Sequence, residues 1–200
     1  MSSFNEKNRL RISFNSPVIL GFVIICFMAL ILGNATLGAS TNAVFSAYRS
    51  SLLNPLTYVR FVSHVFGHAD WDHFLGNIMI ILIVGPLLEE KYGSSNILFV
   101  MLFTAIATGL VNFIFFPHTQ LLGASGIVFS LILLSSFTSI TEGEIPLTFI
   151  IVTVVYIGQQ IYEGVFIRDN ISNITHIIGG LVGAGLGYIM NKEKIGRIRG

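Results

Sequence analysis

One serine and one distant histidine in this 200-residue chain have the side-chain types needed for nucleophilic catalysis. Ser125 stands in the sequence GASG at positions 123–126, and His176 lies in a later apolar segment. A serine hydroxyl is a poor nucleophile until a base within hydrogen-bond reach takes its proton. Histidine suits that role because its unperturbed pKa lies near neutrality. The pair therefore indicates acyl-transfer chemistry, with Ser125 as the nucleophile and His176 as the general base.

The residues around Ser125 suit the negatively charged intermediate of such a reaction. Gly123 and Gly126 allow another backbone to approach closely and leave the serine amide exposed. A helix N-terminus also presents unpaired N–H groups, which can bind the oxyanion of an acyl-transfer intermediate. His73 and Asn77 are four residues apart, so they project from one helix face and could add side-chain donors.

The same residues also have structural interpretations. A GASG sequence in a membrane helix is usually a packing surface, because small residues let helices approach closely. Gly179, Gly183 and Gly187 repeat on one helix face and are predicted to pack rather than react. That packing could bring His176 close to the segment that carries Ser125. A single histidine in a membrane helix can be a structural residue or part of a proton relay.

The other histidines and several acids have simpler interpretations. His64, His68 and His73 are irregularly spaced, so we expect loop or interfacial contacts for His64 and His68 and no metal site. His118 falls in a short outer loop and is expected to be solvated. Four acids at the predicted cytoplasmic ends of helices are also expected to be solvated: Glu89, Glu90, Glu142 and Glu144.

The composition indicates the elements that must position these residues. The chain is 53% apolar and 10% charged, whereas a soluble domain is about a quarter charged. A net charge of +1 argues against nucleic-acid binding, and the single cysteine, Cys26, excludes a disulfide framework. The sequence contains no paired-cysteine zinc pattern, Walker loop or GxGxxG motif. These features predict one membrane domain.

A helix needs about 20 apolar residues to cross a bilayer core of about 30 Å. Six segments meet this condition: roughly Pro17–Leu37, Trp71–Leu88, Ser94–Phe116, Gly123–Ile140, Pro146–Tyr162 and Asn173–Met190. Polar residues and Pro55 interrupt Ala43–Phe66, which is predicted to be an interfacial loop with short amphipathic pieces. We expect an all-α membrane protein with a six-helix domain at 17–191, a cytoplasmic segment at 1–16 and a basic tail at 192–200.

Basic residues beside the spans predict the orientation. Of the 11 lysines and arginines, Arg49, Arg60 and Arg168 fall on one side and the rest on the other, which places both termini in the cytoplasm. The first segment also resembles a signal peptide, with small residues at 38–40. Its apolar run exceeds the usual length of about 7–15 residues, so we expect the chain to keep it.

This topology predicts that the reactive residues converge. Segments two, four and six run in the same direction, so His73, Asn77, Ser125 and His176 lie about 3–10 Å below the start of their helices. Polar residues in hydrocarbon are costly and by default mark function. No acid lies within the later spans to orient His176, so we expect a dyad in a cavity open to the outer side. Asp169, in the preceding loop, is not expected to take part.

The order of these residues resembles the rhomboid intramembrane proteases. The resemblance covers about Arg60 to Tyr188, including the sequence EKYG at 90–93, and rests on three motifs: HxxxHxxxxHxxxN at 64–77, GASG at 123–126 and HIIG at 176–179. A GxSG motif alone is common. Its combination with histidine in span six and HxxxN in span two is specific.

The resemblance implies a six-helix bundle in which a short fourth helix carries the serine and a long first loop lies partly in the membrane. It implies a Ser125–His176 dyad, with an oxyanion hole formed by His73, Asn77 and the Ser125 amide. Gly123, Gly126, Phe129 and Gly179 would support this site, and Arg60 would be structural. The implied substrates are single-pass membrane proteins, cut near their outer ends in the lipid bilayer without a metal or another cofactor.

Two positions depart from the family pattern. Many members have tyrosine where this chain has Phe129, which can stack under His176 but cannot donate a hydroxyl hydrogen bond. A bulky aromatic residue often precedes the asparagine of HxxxN, and this chain has Gly76 there. The second difference affects the shape of the lateral substrate gate rather than the dyad.

Two other classes of function remain open from the sequence. A catalytically silent rhomboid-like protein could bind or escort membrane clients, although such relatives generally lack the serine or the histidine. A transporter or channel would place ionisable residues near the midplane, and the later spans contain no carboxylate at that depth. We expect a multi-pass protein in the plasma membrane of a prokaryote.

Overall fold

The computed structural model describes residues 14–137 and 170–196, and between these ranges only residues 147, 150, 151, 154, 155 and 158. The named helices of this part of the chain are α1 (Pro17–Ala35), α2 (Ala39–Ala43), α3 (Pro55–Ser63), α4 (Trp71–Tyr92), α5 (Ser94–Phe115), α6 (Ser125–Phe137) and α7 (Asn170–Gly196). A 3-10 turn at His64–Phe66 follows α3. The protein is all-α over these residues apart from one isolated β-bridge, between Ala47 and Leu121.

Three of these helices, α1, α4 and α5, are long and apolar enough to cross a membrane. Each buries less than half of its most apolar window, and large apolar side chains cover the outside of the bundle. In α1, Ile19, Cys26 and Leu30 are buried, whereas Ile24 and Met28 are exposed. A helix that is apolar on all sides is typical of a lipid environment. The protein therefore lies in a lipid bilayer.

In the described part of the chain, the predicted spans coincide with helices to within a few residues at most ends. The first three spans are confirmed as long apolar helices, with ends that differ by a few residues. Helix α6 begins at Ser125, two residues after the predicted start of the fourth span, and is described as far as Phe137. Helix α7 is described from Asn170, three residues before the predicted sixth span. The predicted fifth span lies largely outside the described residues. The count of six spans therefore stays a prediction.

The segment between α1 and α4 folds as short helices tied together by one buried arginine. Arg60 Nε donates to the Ala43 carbonyl at 2.8 Å, and the guanidinium carbon lies 4.4 Å from the centre of the Tyr48 ring. The Ser63 hydroxyl donates to the Val44 carbonyl. Because Arg60 is only 5% exposed and its partners lie in the segment that precedes α3, its observed contacts are those of a structural residue.

The expectation that Glu89 is a solvated charge was wrong. Its side chain is 3% exposed and lies at the N-terminus of α1. The carboxylate accepts from the Val18 and Ile19 amides, both at 3.0 Å, and from the Ser94 hydroxyl at 2.7 Å. The first amides of a helix lack intrahelical acceptors, and the Ser16 side chain does not cap them. An acid on another helix satisfies them, which a sequence pattern does not reveal.

The packing prediction for the glycines of α7 is confirmed at two positions. A Cβ atom on Gly179 would lie 2.2 Å from the Gly126 carbonyl oxygen, and one on Gly183 would lie 2.1 Å from that of Ser130. Gly187 is also buried. Only glycine permits this distance between the backbones of α6 and α7, so these residues set how closely the two helices approach.

Candidate active site

Ser125 is the first residue of α6, at the end of a tightly constrained turn. Gly123 has a φ of +118°, a conformation that favours glycine. A Cβ atom there would also lie 2.7 Å from the His73 ring. The Val128 amide makes the first intrahelical bond, to the Ala124 carbonyl, so the Ser125 amide has no partner within the helix ladder. Glycine at position 123 therefore allows a histidine to lie beside the serine turn.

His176 lies within hydrogen-bond reach of Ser125. The distance from His176 Nε2 to Ser125 Oγ is 2.7 Å, and both residues are half-buried. The Phe129 ring, one turn after the serine, lies 4.7 Å from the centre of the imidazole at 48°. Because α7 begins at Asn170, His176 lies in its second turn, not its first as expected. The hydroxyl can donate to Nε2, which is the geometry of a nucleophile and its base.

The hydrogen bonding of His73 favours one tautomer. The Ala69 amide points to His73 Nδ1 at 3.5 Å, and an amide N–H can only donate. A neutral His73 therefore carries its proton on Nε2, at the side of the ring that packs against Gly123. The Asp70 carboxylate caps α4 by accepting from the His73 amide at 2.7 Å, which fixes the backbone at this position. These contacts leave an N–H donor next to the serine turn.

Asn77 lies one turn below His73 on α4 and is 7% exposed. Its amide nitrogen donates to the His73 carbonyl at 2.8 Å. A side-chain amide has two N–H groups, so this bond uses one and leaves the other for a second acceptor.

A cavity of about 370 Å³ joins these side chains. Ser125, His176, His73 and Asn77 all line it, as does Gly76 on the same wall. A Cβ atom on Gly76 would meet nothing within 4 Å, so the wall is open there. The structure thus brings together the four residues that the sequence predicted to converge.

His64 is buried, which corrects the expectation of a loop or interfacial contact. It is 1% exposed, and its Nδ1 donates to the Arg60 carbonyl at 3.0 Å. Its Nε2 lies 3.3 Å from the Thr108 hydroxyl oxygen, and its own carbonyl accepts from the Gly123 amide at 3.0 Å. Burial lowers the pKa of His64 to about 4. This histidine connects α3, α5 and the serine turn.

His68 is buried as well, at 3% exposure, so the same expectation was wrong for it. Its Nδ1 donates to the Phe66 carbonyl at 3.2 Å, and its ring meets the His73 ring edge-on at 5.1 Å. Burial, and next the proximity of His73, lowers the pKa of His68 to about 4. His68 therefore packs behind the ring of His73.

Asn112 was missed by the sequence analysis. It is fully buried in α5, and its amide donates to the Ala47 carbonyl at 3.0 Å. Ala47 and Leu121 exchange both backbone hydrogen bonds at 2.8 Å, which anchors the chain just before Gly123. Asn112 is a polar residue inside an apolar span, and this feature could have identified it. The same feature identified His73 and His176 as candidates.

The remaining predicted residues fall elsewhere. His118 is exposed, as expected, and Asp169 lies outside the described residues. Within the described part of the chain, no group of three or more histidine, cysteine or acidic residues could hold a metal ion. Both ring nitrogens of His64 lie within hydrogen-bond distance of protein groups. The Nδ1 atoms of His68 and His73 do so as well.

The chain is similar to known proteins over about two thirds or more of its length. A family model described as the Rhomboid domain matches residues 55–193, which include all four converging residues. Rhomboid-like protein 11, chloroplastic, from Arabidopsis thaliana is 31% identical over 150 residues, covering 68% of this chain and 53% of that protein. Rhomboid-related protein 2 from Mus musculus is 31% identical over 157 residues, covering 68% and 52%.

A bacterial relative is similar over more of the chain. Rhomboid protease GluP from Bacillus subtilis (strain 168) is 26% identical over 165 residues, covering 80% of this chain and 31% of that protein. The chain thus spans from about a third to about half of the length of these relatives. Since the family match covers more than half of the chain, the protein belongs to the rhomboid family.

Proposed function

We propose that the protein is an intramembrane serine endopeptidase with Ser125 as nucleophile and His176 as general base. The observation that carries this proposal is the 2.7 Å distance between His176 Nε2 and Ser125 Oγ in a cavity that also contains His73 and Asn77. A packing role alone would not require a histidine and a serine on different helices to meet in an open cavity. The relative GluP is named a rhomboid protease, which supports the proposal at the level of the family.

In the first step, Ser125 Oγ attacks the carbonyl carbon of the peptide bond while His176 Nε2 takes the hydroxyl proton. The carbonyl oxygen becomes negatively charged in the tetrahedral intermediate. The donors available beside the serine turn are the Ser125 amide, His73 Nε2–H and the second N–H of the Asn77 amide. Such fixed donors stabilise the transition state because they are already oriented when the charge forms.

The intermediate then collapses. The carbon–nitrogen bond breaks, and His176 passes its proton to the leaving amine, which leaves an ester between Ser125 and the acyl part of the substrate. A water molecule attacks the carbonyl carbon of this ester while His176 takes one of its protons. The bond between the acyl carbon and Ser125 Oγ then breaks, and His176 returns the proton to Oγ as the carboxylic acid leaves. His176 thus moves one proton in each half of the cycle and needs no cofactor.

We propose a dyad rather than a triad. The Phe129 ring lies against the imidazole and limits its rotation, so an apolar contact can contribute to orienting the base. Asp169 is not required in this mechanism, which makes Asp169→Ala a direct test of the dyad. An Asp169→Ala protein that no longer cleaves would add a third member.

The proposed substrates are single-pass membrane proteins, cut near the outer ends of their transmembrane segments. The reactive side chains lie near the N-termini of α4, α6 and α7, so the cavity is near one end of the bundle. In the proposed orientation this is the outer side of the membrane, and both termini are cytoplasmic. A plasma membrane of a prokaryote remains the prediction for its location.

The test is to express the wild type, Ser125→Ala and His176→Ala proteins with a reporter that carries one transmembrane segment. We expect cleavage by the wild type and none by the Ser125→Ala or His176→Ala protein. Ser130→Ala is a matched control, because Ser130 is on the same helix but its hydroxyl contacts Thr104 rather than a base. Equal cleavage by the wild-type, Ser125→Ala and His176→Ala proteins would contradict the proposal. Absence of cleavage by every protein, combined with retained binding of the reporter, would favour a silent rhomboid-like protein.

A further inference from the structure

The N-terminal part of helix α4 forms one wall of the candidate site. Asp72, Gly76 and Ile80 line the cavity together with His73 and Asn77. Asp72, Gly76 and Ile80 are spaced four residues apart, so they lie one above the other on a single face, about 6 Å apart along the axis. A peptide segment that enters the cavity would lie along this row of side chains.

Along this row, the side chains change from charged at the outer end of the helix to apolar further inward. Asp72 is exposed and stands in the first turn, Gly76 leaves open space around its Cα, and Ile80 is apolar and partly exposed. The gap at Gly76 lets a peptide backbone approach α4 closely, because no Cβ atom stands in the way. The wall thus offers a charge at its outer end and apolar contacts below.

The carboxylate of Asp72 is not needed to cap the helix. Asp70 is the N-cap of α4, and its side chain accepts from the His73 amide at 2.7 Å. An acid in a first turn still stabilises a helix through the macrodipole, but that role does not require it to face a cavity. Of the described residues that line the cavity, Asp72 is the only acid, and neither lysine nor arginine is among them.

We propose that Asp72 is a specificity-determining residue, selecting membrane segments that carry lysine or arginine just beyond their outer end. The proposal rests on the protease function above and names the substrate feature that the same site recognises. The carboxylate stands within one turn of His73, so a cationic side chain bound there would hold the neighbouring peptide bonds at the level of the oxyanion donors.

The expected effect is moderate, because Asp72 is exposed. Exposed ion pairs are weak because water screens them, so a change from lysine to glutamate in the substrate should weaken binding by only about fivefold. The preference should also fall at about 1 M salt, where the screening length is about 3 Å. A preference that persisted there would indicate contacts other than charge.

The test measures binding without cleavage, using the Ser125→Ala protein in zwitterionic detergent micelles. Three labelled transmembrane peptides differ only at one outer flanking position, which is lysine, glutamine or glutamate. We expect the lysine peptide to bind most tightly and the glutamate peptide least. In the Ser125→Ala protein, the additional change Asp72→Asn should make the three affinities equal. The additional change Asp72→Lys should reverse their order.

Glu90→Gln is the matched control, since Glu90 is an exposed acid at the other end of α4, about 27 Å away. It should leave the order unchanged. Equal binding of the three peptides, or an equal effect of Glu90→Gln, would overturn the proposal.

Cleavage of the same peptides by the wild type separates the two proposals. Charge-dependent binding without cleavage would contradict the protease function alone. Cleavage without any charge preference would contradict only the role of Asp72.

Discussion

Gly179 of α7 lies directly against Gly126 of α6, so closely that a Cβ atom on Gly179 would stand 2.2 Å from the Gly126 carbonyl oxygen. Gly126 follows Ser125, and Gly179 is one helical turn after His176. The small-residue packing and the chemistry are therefore not alternatives. The glycine contact sets the distance between helices that the hydrogen bond between Ser125 and His176 requires.

The first prediction concerns this contact. Gly179→Ala should force α6 and α7 apart, because the new methyl group meets backbone atoms that cannot rotate away. We expect cleavage to fall at least tenfold, since a displacement of about 1 Å can cost about 10²-fold in rate. Gly185→Ala is the control, because a Cβ atom there meets nothing within 4 Å. The reporter assay measures both, and equal activity of the two variants would contradict the prediction.

The second prediction concerns the oxyanion donors. Asn77→Ala should lower kcat by about 10²–10³ with a smaller effect on KM, because the donor acts on charge that forms in the transition state. Asn96→Ala is a matched control: Asn96 donates to the carbonyl four residues earlier, as Asn77 does, but it is exposed and lies at the start of α5. A rise in KM with unchanged kcat for Asn77→Ala would assign it to substrate binding instead.

The third prediction concerns the cap of α1. Glu89→Gln turns an acceptor into a donor against the α1 amides, and a hydrogen bond to a charged group contributes about 1.5–3 kcal/mol. We therefore expect a clear fall in thermal stability. The reaction of Cys26 with a thiol-reactive dye during heating measures this unfolding. Cys26 is the single cysteine and is buried in α1, so the dye reaches it only when the packing around that helix is lost.

Glu90→Gln serves as the control for this measurement, since the neighbouring acid is exposed. Both variants lose one negative charge. Equal melting temperatures for the two would show that the buried contacts of Glu89 add little to stability.

The fourth prediction concerns pH. Burial holds the pKa of His64 and of His68 at about 4, below the ordinary value of 6.5, so both are neutral in the folded protein. The unfolded chain binds these protons first as pH falls, so stability decreases between about pH 6.5 and 4. Each histidine contributes up to about 1.4 kcal/mol per pH unit in that window.

Thermal unfolding followed by Trp71 fluorescence at several pH values measures this effect. His68→Gln should flatten the decline, whereas His118→Gln should not, because His118 is exposed. A decline that is unchanged in His68→Gln would assign the pH dependence to other groups.

The sequence alone determined the class of protein and the residues that meet. Apolar runs long enough to cross a bilayer identified the three long helices, because the thickness of the hydrocarbon core is a fixed requirement. The direction of successive spans placed His73, Asn77, Ser125 and His176 near one end. Polar residues are costly inside such spans, so their positions were informative before any fold was known.

The burial of the polar groups and their contacts followed from the fold and not from sequence patterns. Glu89 and Glu90 are adjacent acids, yet one caps α1 and the other is exposed, because helix packing directs their side chains differently. His64, Asn112 and the Ala47–Leu121 bridge hold the serine turn through contacts between distant segments. Such contacts depend on the relative placement of helices, which local sequence patterns do not encode, whereas helix length and apolarity are local properties.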